Sequence, residues 1–245
     1  MAREETVNST VKFDPNLSAS SLVWNYAADA EQTFLDSQLF VLDGTPWEAD
    51  LDVIRSGLVD KRRAFKAPYL EREPKPEVRK QVRRLIDHAK RLFPQLYPTF
   101  RSVEERTSFR PMITGPEPLH FDSYGGEAPL VTAYINVSDV PRVYKIGPNF
   151  PMLVETHPDE LRALRDAAIK RGEPLDVSYA LRQMDGGPLG PRAPRHHVEL
   201  APGAIWFFNA KTVSHEVVYG RGAVGISWEV PGCGAKMQAD YLKEL

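Results

Sequence analysis

The spacing of apolar residues changes character along the chain. Over residues 76–93, Val78, Val82, Leu85, Ile86, Ala89 and Leu92 recur at helical spacing, and Pro76 suits a first helical turn. The opposite face carries Arg79, Lys80, Arg83, Arg84, Lys90 and Arg91, which reads as a solvated face. Earlier, Gln38-Leu39-Phe40-Val41-Leu42 ends in Asp43-Gly44 and reads as a strand with a turn. Residues 1–18 are polar and read as an arm or partly ordered lead-in. Beyond residue 100 short runs of strand-like pattern take over, at 107–110, 118–122, 130–137, 142–146, 198–200, 204–209, 215–219 and 223–230. Pro202-Gly203 and Gly220-Arg221-Gly222 supply turns between the later runs. A helical insertion is expected over 157–171, with Leu161, Leu164, Ala168 and Ile169 on its apolar face and Gly172 as its stop. Residues 183–196, rich in Gly and Pro, read as a loop.

About eight short strands behind a helical lead-in predict a mostly β fold with flanking helices, its core a double-stranded β-helix of the jelly-roll or cupin type. The expected organisation is one structural unit. Residues 1–100 form a helical and strand elaboration packed on the core, and 101–245 form the core with a helical insertion near 155–175. Metal ligands in such a barrel project inward from strand ends.

Composition narrows the class. The chain has 245 residues, 42% hydrophobic and 26% charged, which is ordinary for a globular protein with a sizeable core. A net charge of -2 does not suggest a nucleic-acid partner. No apolar run approaches the roughly 20 residues that cross a bilayer, and no apolar signal region follows Met1. Cys233 is the one cysteine, so no internal disulfide forms and a cytoplasmic location is expected. Twenty-one prolines argue against an all-helical bundle.

Candidate chemistry comes from histidines next to acids. Non-haem iron oxygenases hold the metal on one face with two histidines and a carboxylate, leaving the other face open. The sequence contains three His-x-acid triplets, His120-Phe121-Asp122, His157-Pro158-Asp159 and His197-Val198-Glu199. About one is expected by chance, so context must decide. His157-Pro158-Asp159 sits where a helix should start, and capping explains it. His197-Val198-Glu199 reads as a surface strand. His120 and Asp122, two apart at the end of a strand, project to one face while Phe121 projects to the other. His215, opening a strand after the apolar run 204–209, completes the set.

His120-Phe121-Asp122, the strands 130–137 and 205–208, and Ser214-His215-Glu216-Val217 together resemble the Fe(II)/2-oxoglutarate oxygenase superfamily. Arg106-Thr107-Ser108-Phe109-Arg110-Pro111, Leu119-His120-Phe121-Asp122 and Pro141-Arg142-Val143-Tyr144-Lys145-Ile146-Gly147 are similar to the bacterial 3-deoxy-octulosonate (Kdo) hydroxylases. The resemblance covers residues 100–150 and 198–230, while Met112 to Pro118 lacks the polar and basic residues of that family and the first 100 residues show little likeness.

The resemblance implies a 2-oxoglutarate-dependent non-haem iron dioxygenase, with Fe(II), 2-oxoglutarate and O2 as cofactor and co-substrates. His120, Asp122 and His215 would be both catalytic and metal residues. Halogenases of the superfamily lose that acid, so Asp122 points to hydroxylation or another oxygenase outcome over halogenation. The distal carboxylate of 2-oxoglutarate requires a cation. Many members supply an arginine from the last strand in an Arg-x-Ser pattern, yet here Gly225-Ile226-Ser227 stands there. Arg142, Lys145 and Arg221 are the alternatives, with Asn136, Tyr134 and Ser227 adding hydrogen bonds. Arg106, Arg110 and Tyr124 are the expected substrate-binding residues, and Tyr124 with the following glycines, or the loop 183–195, the expected lids. The expected substrate is a small polar molecule with an anionic group, a sugar acid or an amino acid. Desaturation or cyclisation, and a non-redox metabolite-binding barrel, are the alternatives.

Overall fold

The computed structural model describes residues 8–18, 22–23, 29–58, 75–110, 116–122, 128–173, 175–184 and 186–245, with Leu22, Val23 and Arg110 described through their backbone alone. Eleven strands among the described residues form two sheets. The strands are β1 (Thr10–Lys12), β2 (Leu22–Val23), β3 (Leu39–Leu42), β4 (Glu104–Arg110), β5 (Glu117–His120), β6 (Leu130–Asn136), β7 (Arg142–Asn149), β8 (His196–Leu200), β9 (Ile205–Asn209), β10 (Val213–Tyr219) and β11 (Ala223–Glu229). The smaller sheet has the order β1-β8-β7-β10-β5 and the larger β2-β3-β9-β6-β11-β4. Every pairing is antiparallel except the short β2–β3 contact. From β4 to β11 the chain passes repeatedly from one sheet to the other. That winding is the double-stranded β-helix expected from the sequence.

Side-chain parity divides the larger sheet between two cores. Val131, Ala133 and Ile135 of β6, Phe207 of β9, and Val224, Ile226 and Trp228 of β11 face outward onto a helical layer. Tyr134, Trp206, Phe208 and Ala223, one residue out of phase, face the space between the sheets, where they meet Tyr144, Ile146, Val198, Leu200, Val213 and Val217 of the smaller sheet. Strands covered on both faces read as continuous apolar runs, as Ile205-Trp206-Phe207-Phe208 does.

The outer helical layer comprises α1 (Ala30–Leu35), α2 (Leu51–Ser56) and α3 (Pro76–Leu96). The last buries Val78, Val82, Leu85, Ile86, Ala89 and Phe93 against the larger sheet. This helix runs one turn past its expected end, through Pro94, because a proline this near the C-terminus removes only one intrahelical bond while Phe93 and Tyr97 remain anchored in the core. Its basic face is partly paired, with Lys90 to Glu105 at 2.6 Å and Arg91 to Glu48 at 2.6 Å, as a solvated face should be.

The outside of the smaller sheet carries a third core. Leu119 and Phe121 pack there against α4 (Phe150–Thr156), α5 (Pro158–Arg171), α6 (Val177–Gln183) and α7 (Gln238–Lys243). The inserted helices are therefore more extensive than the expected 155–175. Helix α5 matches the predicted span, and Gly172 stops it in the left-handed conformation at φ 65°. The lead-in is also more structured than expected, since β1 pairs with β8 and Asp14 bonds to His196. The expected strand 118–122 ends at His120, although the Asp122 amide still donates to the Ala210 carbonyl at 2.8 Å. Among the described residues no helix is long and apolar enough to cross a membrane.

Candidate metal and co-substrate site

Pairing of β5 with β10 sets His120 directly opposite His215. Their ring centroids are 4.5 Å apart. Asp122 follows at the end of β5, its Oδ1 lying 3.4 Å from His120 Nε2 and 4.0 Å from His215 Nε2. These three offer ligand atoms within 4.8 Å of one another, and they are the one such cluster of acids, histidines and cysteines among the described residues. The rival triplets separate from it. His157 starts α5, and His197 pairs with its neighbour Glu199 at 3.1 Å on the outward face of β8.

The two histidines are held for metal binding by their other nitrogens. His120 Nδ1 donates to the Pro118 carbonyl at 2.7 Å, and His215 Nδ1 to the Val213 carbonyl at 3.1 Å. A carbonyl has no proton to give, so each Nδ1 carries the hydrogen and each Nε2 presents its lone pair inward. Burial pushes the His215 pKa down to about 4, against a smaller opposing pull from Asp122, so this imidazole is neutral near pH 7. For His120 burial pulls the other way from Asp122 and the Pro118 carbonyl, and the net shift is upward. Two imidazoles with Nε2 turned inward and one nearly buried carboxylate form the donor set of a 2-His-1-carboxylate iron centre, so the residues fit that metal.

The peptide between the two ligands of β5 is clamped from outside the barrel. Ser178 of α6 accepts from the Phe121 amide at 2.8 Å and donates to the Phe121 carbonyl at 3.1 Å. Phe121 itself packs edge-on against Phe150, 5.6 Å between ring centroids. Ser178 thus fixes the separation of His120 and Asp122 without touching the metal position. Replacing it by alanine leaves the Phe121 peptide unpaired and is expected to weaken Fe(II) or Co(II) binding about 10-fold, the lower end of the effect of removing an outer partner of a metal ligand. Calorimetric titration of Co(II) into the wild type and Ser178→Ala checks this, with Ser178→Thr expected to recover most of the loss.

The inward face of β7 runs from the metal end to a cationic end. Ile146 lies opposite His215, Tyr144 stacks near the His215 ring at 6.4 Å, and the Arg142 guanidinium lies 5.3 Å from the Tyr144 ring centre. Arg142 is 1% exposed, and its Nε and Nη1 have no hydrogen-bond partner. The indole N–H of Trp206, whose ring lies 5.4 Å from Tyr144, is also buried without one. Buried donors in native proteins are almost always satisfied. Here three of them, two on the Arg142 cation and one on Trp206, share one end of the barrel interior. Four residues of strand separate Arg142 from Ile146, about 13 Å at roughly 3.3 Å per residue. An arginine side chain and a bound five-carbon diacid together span such a gap.

The last-strand position at which the superfamily resemblance implies an arginine is closed. A side chain at Gly225 would come within 2.8 Å of the Tyr134 ring and 2.6 Å of Ser108 Oγ. The other expected cations lie elsewhere. Lys145 points out of the barrel toward Glu216, and Arg221 sits on the hairpin surface 3.8 Å from Asp139. Asn136, expected to help the co-substrate, is occupied structurally. Its Nδ2 donates toward the carbonyls of Val140, Leu200 and Ala201, and its Oδ1 accepts from Ser138. Ser227 faces the interior, 3.4 Å from Thr132 Oγ1. Arg106 lies one edge strand away, opposite Ser227, exposed and bidentate to Glu104. Tyr124 and the Arg110 side chain lie outside the described residues.

Tyr144, Trp206, Ser178 and the nearly buried Lys211 were not read from the sequence. Burial pushes the Lys211 pKa down, and its Nζ donates to the Ala128 carbonyl at 2.8 Å. The inward phase of β7 and β9 would have pointed to the two aromatic residues, since a buried indole needs an acceptor.

No protein-family profile matches the chain, and no curated protein does. Solved structures do. The Kdo hydroxylase KdoO, a non-haem Fe(II) alphaketoglutarate-dependent dioxygenase, in complex with cobalt(II) superposes with a TM-score of 0.59 at 13% identity, covering 91% of this chain and 95% of that one. Its complex with alphaketoglutarate and Fe(III) gives 0.58 at 15% identity with the same coverage. A complex with succinate and Fe(III) gives 0.55 at 15% identity, again over 91% and 95%. At such identities the likeness shows the fold, and it agrees with the resemblance seen in the sequence. The chain has the jelly-roll fold of these iron- and 2-oxoglutarate-dependent dioxygenases, with a His-Asp-His cluster at its metal end.

Proposed function

We propose that the protein is an Fe(II)- and 2-oxoglutarate-dependent oxygenase that hydroxylates an unactivated C–H bond of a small polar, anionic molecule. The observation that carries this is the pairing of two features inside one barrel. At one end His120, Asp122 and His215 converge with both Nε2 atoms presented inward, and at the other Arg142 and Trp206 offer unmatched buried donors. A metal barrel without a diacid co-substrate has no use for the second feature.

With O2 as the oxidant, bound iron would supply the C–H oxidation, one oxygen atom ending in the substrate hydroxyl and the other in succinate as 2-oxoglutarate is oxidised and loses carbon dioxide. The protein's own groups bind and orient. His120, Asp122 and His215 hold three positions on one side of the metal. Arg142 pairs with the distal carboxylate through its planar fork, Trp206 donates to the same group, and Tyr144 packs beneath the guanidinium. The apolar walls Ile146, Val213 and Val217 keep water from the co-substrate's carbon chain. A sugar acid or amino acid is the favoured substrate class, since the KdoO structures are of a Kdo hydroxylase.

The test is succinate formation. Protein stripped with EDTA is expected to release no succinate from 2-oxoglutarate, Fe(II) to restore release, and Mg(II) to fail, because imidazole ligands suit iron and not magnesium. Sugar acids and amino acids are then screened for stimulation of release. Turnover that survives complete removal of iron would overturn the proposal.

A further inference from the structure

A second cavity lies on the far side of the smaller sheet from the metal triad. It encloses about 620 Å³, within the usual range for small-molecule sites. Its floor is formed by side chains that alternate with the barrel's inward residues. Lys145 stands between Tyr144 and Ile146 on β7, and Glu216 follows His215 on β10. One wall is α6, which contributes Tyr179 and Arg182, and the other is the loop around Gly190 with Arg195. Leu119 and Leu189 add apolar surface.

The charges in this cavity do not cancel. Among the described residues Glu216 is the one acid lining it, against Lys145, Arg182 and Arg195. Glu216 is already bound to Arg195 Nη1, and lies 3.4 Å from Lys145. Arg195 is committed throughout, since its Nη2 bonds the Gly190 carbonyl and its Nε the Ala193 carbonyl at 3.0 Å. It acts as a staple that holds the loop in place. Arg182 has no hydrogen bond or ion pair to any described residue, and Lys145 has only its long contact to Glu216. Among the described lining residues three cations therefore share one carboxylate, and the preformed, partly apolar space keeps an excess of two positive charges, carried by Arg182 and by Lys145 with its long contact to Glu216.

We propose that this cavity is a binding site for a small organic acid, its carboxylate or phosphate held by Arg182 and Lys145 and its apolar part packed on Leu119 and Leu189. The site is independent of the metal reading, and stands or falls whether or not the barrel holds iron.

Calorimetric titrations of phenyl phosphate, benzoate and neutral phenol into the full chain separate the two kinds of anion from simple apolar filling. The expected result is one-to-one binding of at least one anion and no binding of phenol. Arg182→Gln is expected to weaken the binding about tenfold or more, as loss of a hydrogen bond to a charged group should. Lys145→Gln should weaken it in the same direction. Arg142→Met, which changes only the barrel interior, should leave it unaltered. Absence of anion binding at millimolar concentration, equal binding of phenol, or a loss that follows Arg142 and not Arg182 would each overturn the proposal.

Discussion

Asp122→Ala is expected to abolish iron-dependent turnover of 2-oxoglutarate while leaving the protein folded. Asp122 is the one anionic member of the cluster, and its Oδ1 sits 3.4 Å and 4.0 Å from the two imidazole nitrogens that would share the metal. Substituting even an outer partner of a metal ligand typically weakens binding about 10- to 100-fold. Removing the ligand itself, and with it the negative charge that offsets a divalent ion, should therefore cost on the order of 100-fold or more in Fe(II) affinity. The fold should tolerate the change. The backbone bond from residue 122 to Ala210 remains, and Phe121 stays clamped by Ser178. Calorimetry with Co(II), succinate release and a thermal melt of the metal-free variant measure these three outcomes. Succinate release at the wild-type rate would remove Asp122 from the metal site.

Arg142→Met should produce two opposite effects in one variant. Truncating one partner of a buried, hydrogen-bonded charge pair costs about 2–5 kcal/mol, so the 2-oxoglutarate requirement should rise roughly 30-fold to several thousand-fold. The metal-free protein without co-substrate should instead become more stable. In that state the guanidinium is 1% exposed with Nε and Nη1 unpaired, and replacing a poorly compensated buried charge by a packed apolar chain is often stabilising by about 1–4 kcal/mol. Arg142→Lys keeps the charge but loses the fork, so it should recover only part of the co-substrate affinity. Lys145→Gln and Arg221→Gln should leave that affinity unaltered, because one side chain faces outward and the other lies on the hairpin surface. A normal 2-oxoglutarate requirement in Arg142→Met would place the co-substrate carboxylate elsewhere.

What the sequence disclosed follows from how local each signal is. His120 and Asp122 were legible because the metal needs two ligands on one strand face, and a two-residue spacing delivers that without knowledge of the fold. The long apolar face of α3 and the Gly172 stop of α5 are similarly local. The choice among Arg142, Lys145 and Arg221 was not, since it depends on which phase of β7 points inward. Parity is ambiguous in a strand such as 142–149 where both faces are partly covered. The short helices α4, α6 and α7 carry too few turns to show a period. Ser178 was invisible because its role lies wholly in a contact to a peptide 57 residues away. The three-residue strand β1 escaped for a different reason. Its pairing with β8, and not its own pattern, makes it a strand.

The most direct test of the central claim is anaerobic titration of the metal-free protein with Fe(II) and then with 2-oxoglutarate, following the visible absorption of the iron–2-oxoglutarate chelate. The expected result is a charge-transfer band that appears only when both are present, saturates at one equivalent of iron, and is lost in Asp122→Ala. Folded protein that gives no band at saturating iron and 2-oxoglutarate would contradict the assignment, and would reduce His120, Asp122 and His215 to structural residues of a non-redox barrel.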